Sequence, residues 1–271
     1  LFEVFKINTL QAIVINYFVA AVLGFYMSDL EISPSEIIDK SWFLGAFILG
    51  ILFITVFNLM ALTSQRNGLS VASVASKMSL VIGVLFGIFY FKESANYIKI
   101  IGIVLALLAV YLTSINEKKS GSEKKVGNLL FPLLVFLGSG FIDTSLKYFE
   151  SAHVEEGGVP IFSATIFVFA FIFGIIFVVV KAVKGEFQFQ IKNLLGGILL
   201  GIPNYFSIVY LLKALNTEGM ESSTAFTVNN VGIVVLSTLF GLLFFREKLS
   251  LKNWLGIAIA VLSVYMVFKH G

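Results

Sequence analysis

Long apolar runs separated by short polar stretches set the pattern of this chain. Nine runs, at about 9–27, 41–64, 68–91, 97–115, 129–149, 159–180, 193–214, 222–245 and 251–268, approach or exceed the roughly 20 residues that an α-helix needs to cross a hydrocarbon core. Polar and turn-forming residues fall between them: Ser28 to Lys40 with Pro34, Gln65-Arg66-Asn67, Asn116 to Asn128, Glu150 to Gly158, and Gly185 to Lys192. The runs lack the ten-residue alternation of outer-membrane strands, so the pattern predicts a multi-pass bundle of transmembrane helices, an all-α membrane protein.

The two halves resemble each other across the stretch NEKKSGSEKKVGN at 116–128. GVLFGIFYFKESANYIKIIGIVLALLAVYL (83–112) aligns without gaps to STLFGLLFFREKLSLKNWLGIAIAVLSVYM (237–266), pairing Gly87 with Gly241, Glu93 with Glu247, Gly102 with Gly256 and Tyr111 with Tyr265. Upstream, Gly45 and Gly50 pair with Gly196 and Gly201. Small residues and a membrane-edge Glu held in register over several spans indicate an internal duplication. The division expected is a first repeat at 1–115, a linker at 116–128 and a second repeat at 129–271. The second half carries five runs and the first only four, and Tyr148-Phe149-Glu150 resembles Leu1-Phe2-Glu3. One more helix is therefore expected ahead of residue 1. Five spans per repeat is an odd number, so the second repeat enters the membrane with opposite polarity, an inverted five-plus-five repeat with nine spans in this chain.

The paired span ends IFYFKES (88–94) and FFREK (244–248), each followed by a helix carrying Ile101-Gly102 or Leu255-Gly256, resemble the ten-helix EamA-type permeases of the drug/metabolite transporter superfamily. The resemblance covers the whole chain. Such members commonly carry a proline ten residues before the Glu, where Gly83 and Ser237 stand here, so no helix kink is carried over. The resemblance implies a carrier of metabolites, amino acids or amphipathic drugs, moving its cargo by alternating access through a central cavity between the repeats. It also implies a cytoplasmic C-terminus and an external linker.

Composition narrows the remaining classes. Hydrophobic residues make up 58% and charged residues 13%, against roughly 45–50% and about 25% in soluble domains, so lipid is the expected solvent of the surplus apolar surface. The basic residues sit in short segments between apolar runs, a pattern of membrane flanks and not of a nucleic-acid face. No Cys is present, and His153 and His270 are far apart, so no cofactor and no metal site are expected. Connections on the side of Leu1 hold twelve Lys and Arg residues and the opposite side six. The positive-inside rule then places the 116–128 linker in the cytoplasm, in conflict with the orientation that the resemblance implies, and the charge count, being read from this chain, is preferred. The inner (plasma) membrane is the expected location, with a monomer sufficient for function.

Candidate chemistry lies inside the runs. Ser70, Ser73 and Ser76, then Gly83 and Gly87, recur at helical spacing, and the repeat places Thr224, Thr227, Asn230, Ser237 and Gly241 opposite them. The glycine levels are assigned to helix packing and the Ser76-Lys77 and Thr227-Asn230 levels to a cavity. Lys77 is the sharpest residue, because it falls ~14 Å into its run, where a cation needs a carboxylate, water, carbonyls or an anionic cargo. Asp143, in SGFIDTSLKYFE, is a possible counter-ion or proton carrier, with Lys147 one turn on as the partner of a purely local pair. Asn204 and Tyr210 follow Pro203, and Asn58 occupies the matching region of the first repeat; substrate binding and interhelical hydrogen bonding both fit them. Glu93 and Glu247 read as interfacial caps. A carrier of a small molecule, with protons as candidate coupling ions, is therefore preferred over an intramembrane enzyme, which would need a catalytic cluster, and over a scaffold, which would not need duplicated polar stripes.

Overall fold

The computed structural model describes residues 7–30, 33–67, 69–114, 129–185, 188, 190–245 and 251–270. The 116–128 linker, Leu1 to Glu3, Glu247 and the side chains of Ser70 and Ser237 lie outside the described residues. Among the described residues eleven helices account for the regular structure: α1 (Thr9–Tyr26), α2 (Pro34–Ile38), α3 (Phe43–Asn67), α4 (Leu69–Met78), α5 (Leu80–Tyr90), α6 (Tyr97–Ser114), α7 (Leu130–His153), α8 (Val159–Val183), α9 (Ile191–Leu215), α10 (Ser222–Phe245) and α11 (Leu251–His270). Among the described residues there is no strand.

Every apolar run coincides with a helix, except that 68–91 forms two. Among the described residues seven stretches are long and apolar enough to cross a membrane, counting Val71–Tyr90 as one, and α6 and α10 carry the shorter apolar segments Tyr97–Leu112 and Ser222–Leu236. Large apolar side chains remain exposed along these helices, such as Phe18, Phe25, Val104, Ile176, Phe177 and Leu199. Apolar surface on this scale has no stable place in water, and helices satisfy their own backbone groups in lipid. The protein is thus a multi-pass, all-α membrane protein. The stretch 28–40, expected as a loop, holds the short helix α2 because Ser33 accepts the Glu36 amide at 3.4 Å and Pro34 fits the first turn.

Two compact units divide the chain, residues 1–58 with 145–216 and residues 59–144 with 217–271. Each unit draws helices from both sides of the linker, with α3 and α7 contributing to both. In the first, α1 packs against α8 and α9. At Gly201 an added Cβ would stand 2.8 Å from the Asn16 carbonyl oxygen, so the missing side chain lets α9 approach the backbone of α1. Tyr17 is stacked on Phe167 and edge-on to Phe53 and Phe57. Asn193 locks the start of α1, accepting the Asn8 amide at 2.9 Å and donating to Gln11 Oε1 at 2.7 Å.

In the second unit α6 packs along α11, and α10 packs on α5, α6 and α11. Gly140 of α7 faces Ile82 of α5, whose Cβ lies 2.7 Å from where a glycine-to-alanine Cβ would stand. Glu93, just beyond α5, caps the first turn of α10: Ser222 donates from its amide at 2.8 Å and from its hydroxyl, and Ser223 from its amide at 3.1 Å and its hydroxyl at 2.8 Å. Capping is thus the role of Glu93, though the helix it caps is distant in sequence.

Candidate functional site

The polar face of α4 ends where the helix tightens. Ser79 separates α4 from α5, and its hydroxyl donates to the Ser76 carbonyl at 2.6 Å. The next backbone bond runs from the Ile82 amide to the Ser79 carbonyl at 2.9 Å, a tightened turn that lets α5 resume. The expected single span at 68–91 stands as one span, Val71–Tyr90, with a tightened turn at Ser79 inside it. Lys77 sits in the last turn of α4, where the partial negative charge of the helix C-terminus favours a cation. Ser73, Ser76 and Lys77 are all half-buried.

Facing this turn is α7. The Ser139 hydroxyl donates to the Ser76 hydroxyl at 3.4 Å, which fixes the level at which the two helices meet. Asp143 stands one turn beyond Ser139 on the same face of α7 and is also half-buried. Its carboxylate is the charge that acts on Lys77, and that of Lys77 acts on it. Among the described residues no ion pair within 4.0 Å joins the two. Lys147, offered by the sequence as a local partner for Asp143, donates to the Leu215 carbonyl at 2.8 Å and lies 3.6 Å from Glu150. The site is therefore a cation and an anion brought to one helix crossing, with two serine hydroxyls beside them and no direct neutralising contact.

The other residues singled out by sequence divide into two groups. Thr227 and Asn230 lie on α10 in the same unit, fully buried, and donate to carbonyls of their own helix, Ser223 at 2.7 Å and Phe226 at 3.0 Å. Asn58, Asn204 and Tyr210 belong to the first unit. Asn58 donates to the Ile54 carbonyl at 2.7 Å, Tyr210 is 63% exposed and stacks on Phe206, and the Asn204 amide nitrogen is buried without a partner among the described residues. Asn16 and Tyr17 of α1 also bury polar side-chain atoms without partners among the described residues. Ser139 is not among the residues singled out by sequence, although its place four residues before Asp143 in GSGFID is a usable signal. Among the described residues no group of three or more His, Asp or Glu is placed to hold a metal ion.

Comparison with known proteins adds to this picture. A profile of the EamA-like transporter family matches residues 3–115 and 127–269. An uncharacterized protein of Haemophilus influenzae is 27% identical over 262 residues, covering 95% of this chain and 88% of that protein. The glucose uptake protein GlcU of Bacillus subtilis is 28% identical over 199 residues, covering 70% of this chain and 64% of that protein. A crystal structure superposes with a TM-score of 0.74 at 12% identity, covering 97% of this chain and 88% of the other, which supports the fold. The superfamily resemblance carried by the paired span ends is upheld, and the chain belongs to the EamA-like transporter family, whose members are membrane transporters of small solutes.

Proposed function

We propose that this protein carries a small polar solute across the inner membrane by alternating access, with Lys77, Asp143, Ser76 and Ser139 in the path of the cargo. The carrying observation is the Lys77 and Asp143 pair: opposite charges in span interiors, brought to one helix crossing but not joined by an ion pair. An intramembrane charge is costly unless water, a partner or a ligand solvates it, so two such charges beside the tightened turn of a span favour a solvated path. Lys77 belongs to the first sequence repeat and Asp143 to the second, which fits a cavity lined by both repeats. Ser73 extends this face by one turn, and Thr227 and Asn230 of α10 are kept as candidate contacts. Asn58, Asn204 and Tyr210, in the first unit, are kept as candidate substrate contacts on the sequence reading. Asp143 is the group best suited to exchange a proton, which makes protons the candidate coupling ion, and a monomer suffices for this scheme.

The name of the Bacillus relative makes a neutral hexose the first cargo to try. Purified protein in proteoliposomes preloaded with unlabelled compound is assayed for uptake of labelled glucose, then of a panel of amino acids, organic acids and cations. Counterflow of at least one compound in wild type, and its loss in Asp143→Asn, supports the reading. Full counterflow in Asp143→Asn removes Asp143 from the path.

A further inference from the structure

We infer that Glu150, near the end of α7, is a proton-binding site: the folded protein holds its carboxyl neutral while the neighbouring Lys147 is engaged by a backbone carbonyl. Burial is the first observation. Glu150 is 2% exposed, and both carboxyl oxygens are closed off from solvent and accept no hydrogen bond among the described residues. An ionised carboxyl offers about four lone-pair sites, and out of water it is stable only where donors and a cation fill them. Glu150 is in this respect the opposite of Glu93, which takes the amides and hydroxyls of both Ser222 and Ser223.

The cation at hand does not fill those sites. The Lys147 ammonium stands 3.6 Å from Glu150 Oε2, beyond hydrogen-bonding distance, and donates to the Leu215 carbonyl at 2.8 Å. That carbonyl ends α9, where the partial negative charge of a helix C-terminus competes with Glu150 for the ammonium. A buried ion pair offsets its desolvation only with close geometry and further hydrogen bonds to the charged atoms, and the Glu150 carboxyl has neither. Among the described residues Lys147 is the one charge that acts on Glu150. His153, one turn further along α7, meets Ser41 and Tyr148, Glu155 pairs with Lys40, and Lys213 of α9 is exposed. Space then selects the ligand. A metal ion or a solute group would have to displace the side chains packed on the two oxygens, whereas a proton adds almost no volume and removes the charge. The site is separate from Asp143, since Glu150 belongs to the first unit and Asp143 to the second. An ordinary glutamate in water is ionised at neutral pH, so any state that opens this carboxyl to water releases the proton. Movement of α7 away from the end of α9 is thereby tied to proton concentration.

The test needs no cargo and does not involve Lys77, so its failure leaves the transport reading standing. Infrared spectra of the purified, monodisperse protein in detergent at neutral pH report the C=O stretch of a protonated carboxyl, which is separate from that of a carboxylate. Asp143→Asn serves as the background, because it removes the other carboxyl in a span interior, and Glu150→Gln is added to it. The protonated-carboxyl band is expected in Asp143→Asn and is expected to be lost in the double variant. Absence of the band from Asp143→Asn, or its survival at equal strength in the double variant, overturns the inference. If Glu150→Gln does not fold, Lys147→Met is read in the same background. A neutral Glu150 keeps its band at unchanged strength when the ammonium is removed. A band that emerges only in Lys147→Met would show that Glu150 is ionised and ion-paired in the parent protein, which also overturns the inference.

Discussion

Ser139 of α7 donates to Ser76 of α4 across 3.4 Å, and this contact sets Asp143 at the level of Lys77. The bond is long and joins two neutral hydroxyls, so its own contribution to stability is small, at most about 1 kcal/mol. Its effect is positional. Ser139→Ala is expected to keep the thermal unfolding midpoint within a few degrees of wild type while lowering flux of a transported compound, because α4 and α7 lose the contact that aligns the two charges. Equal flux at equal stability would show that the serines only fill space.

Close packing of α5 on α7 gives a second expectation, on stability. Gly140→Ala places a Cβ against Ile82, and overpacking of this kind costs about 1–3 kcal/mol. Ile82→Ala should recover part of that loss in the double variant, since the two substitutions share one contact. Detergent-solubilised protein followed by thermal unfolding checks this, and strict additivity of the two effects would count against the packing described.

Much of this architecture is legible in the sequence, for identifiable reasons. Hydropathy over about 20 residues reports a span whatever its tertiary setting, so all nine runs fall on helices. Lys77 stands out because a charge in an apolar run is expensive in lipid. Other features leave no local trace. The tightened turn at Ser79 has neither Gly nor Pro beside it, and Lys-Met-Ser-Leu gives no sign of it within the span. Glu93 was readable as a cap from its place after a run, but its partners Ser222 and Ser223 lie 129 and 130 positions away, and no helix-end rule reaches that far. Thr227 and Asn230 share the periodicity of a polar stripe, yet each has an acceptor one turn back in its own helix, a competition that spacing alone does not resolve.

The Glu93 cap on α10 also has a pH signature. Burial pushes the Glu93 carboxyl upward, but the hydroxyls and amides of Ser222 and Ser223 outweigh it and hold the group below its ordinary value of 4.5. With the folded value depressed, the contribution of Glu93 is fully present above about pH 4.5 and is lost as pH falls through the folded value. The difference in unfolding midpoint between wild type and Glu93→Gln should therefore be constant from neutral pH to about 5 and shrink only in stronger acid. A difference that disappears between pH 7 and 6 would contradict this assignment.

Membrane orientation separates the charge count from the family resemblance. Ser122→Cys puts the only thiol of the chain in the 116–128 stretch. The twelve-to-six excess of basic residues on that side predicts no labelling by an impermeant thiol reagent added to intact cells, and labelling after lysis. Labelling of intact cells would reverse the orientation and favour the one that the resemblance implies.

The role of Lys77 is tested most directly by flux through Lys77→Met. Met keeps the length and apolar stem of the side chain and removes the charge, and insertion should be eased, since a Lys at the centre of a span costs about 2.5–3.5 kcal/mol on insertion scales. Equal amounts of wild type and Lys77→Met are purified, checked for monodispersity and thermal stability, and reconstituted, and uptake of the same labelled compound is followed across a range of pH. The cargo-path role requires a variant that is at least as stable as wild type and at least about tenfold slower at every pH, the loss expected when one charged contact is removed. Flux equal to wild type across that range would contradict it and return Lys77 to a structural part in helix packing.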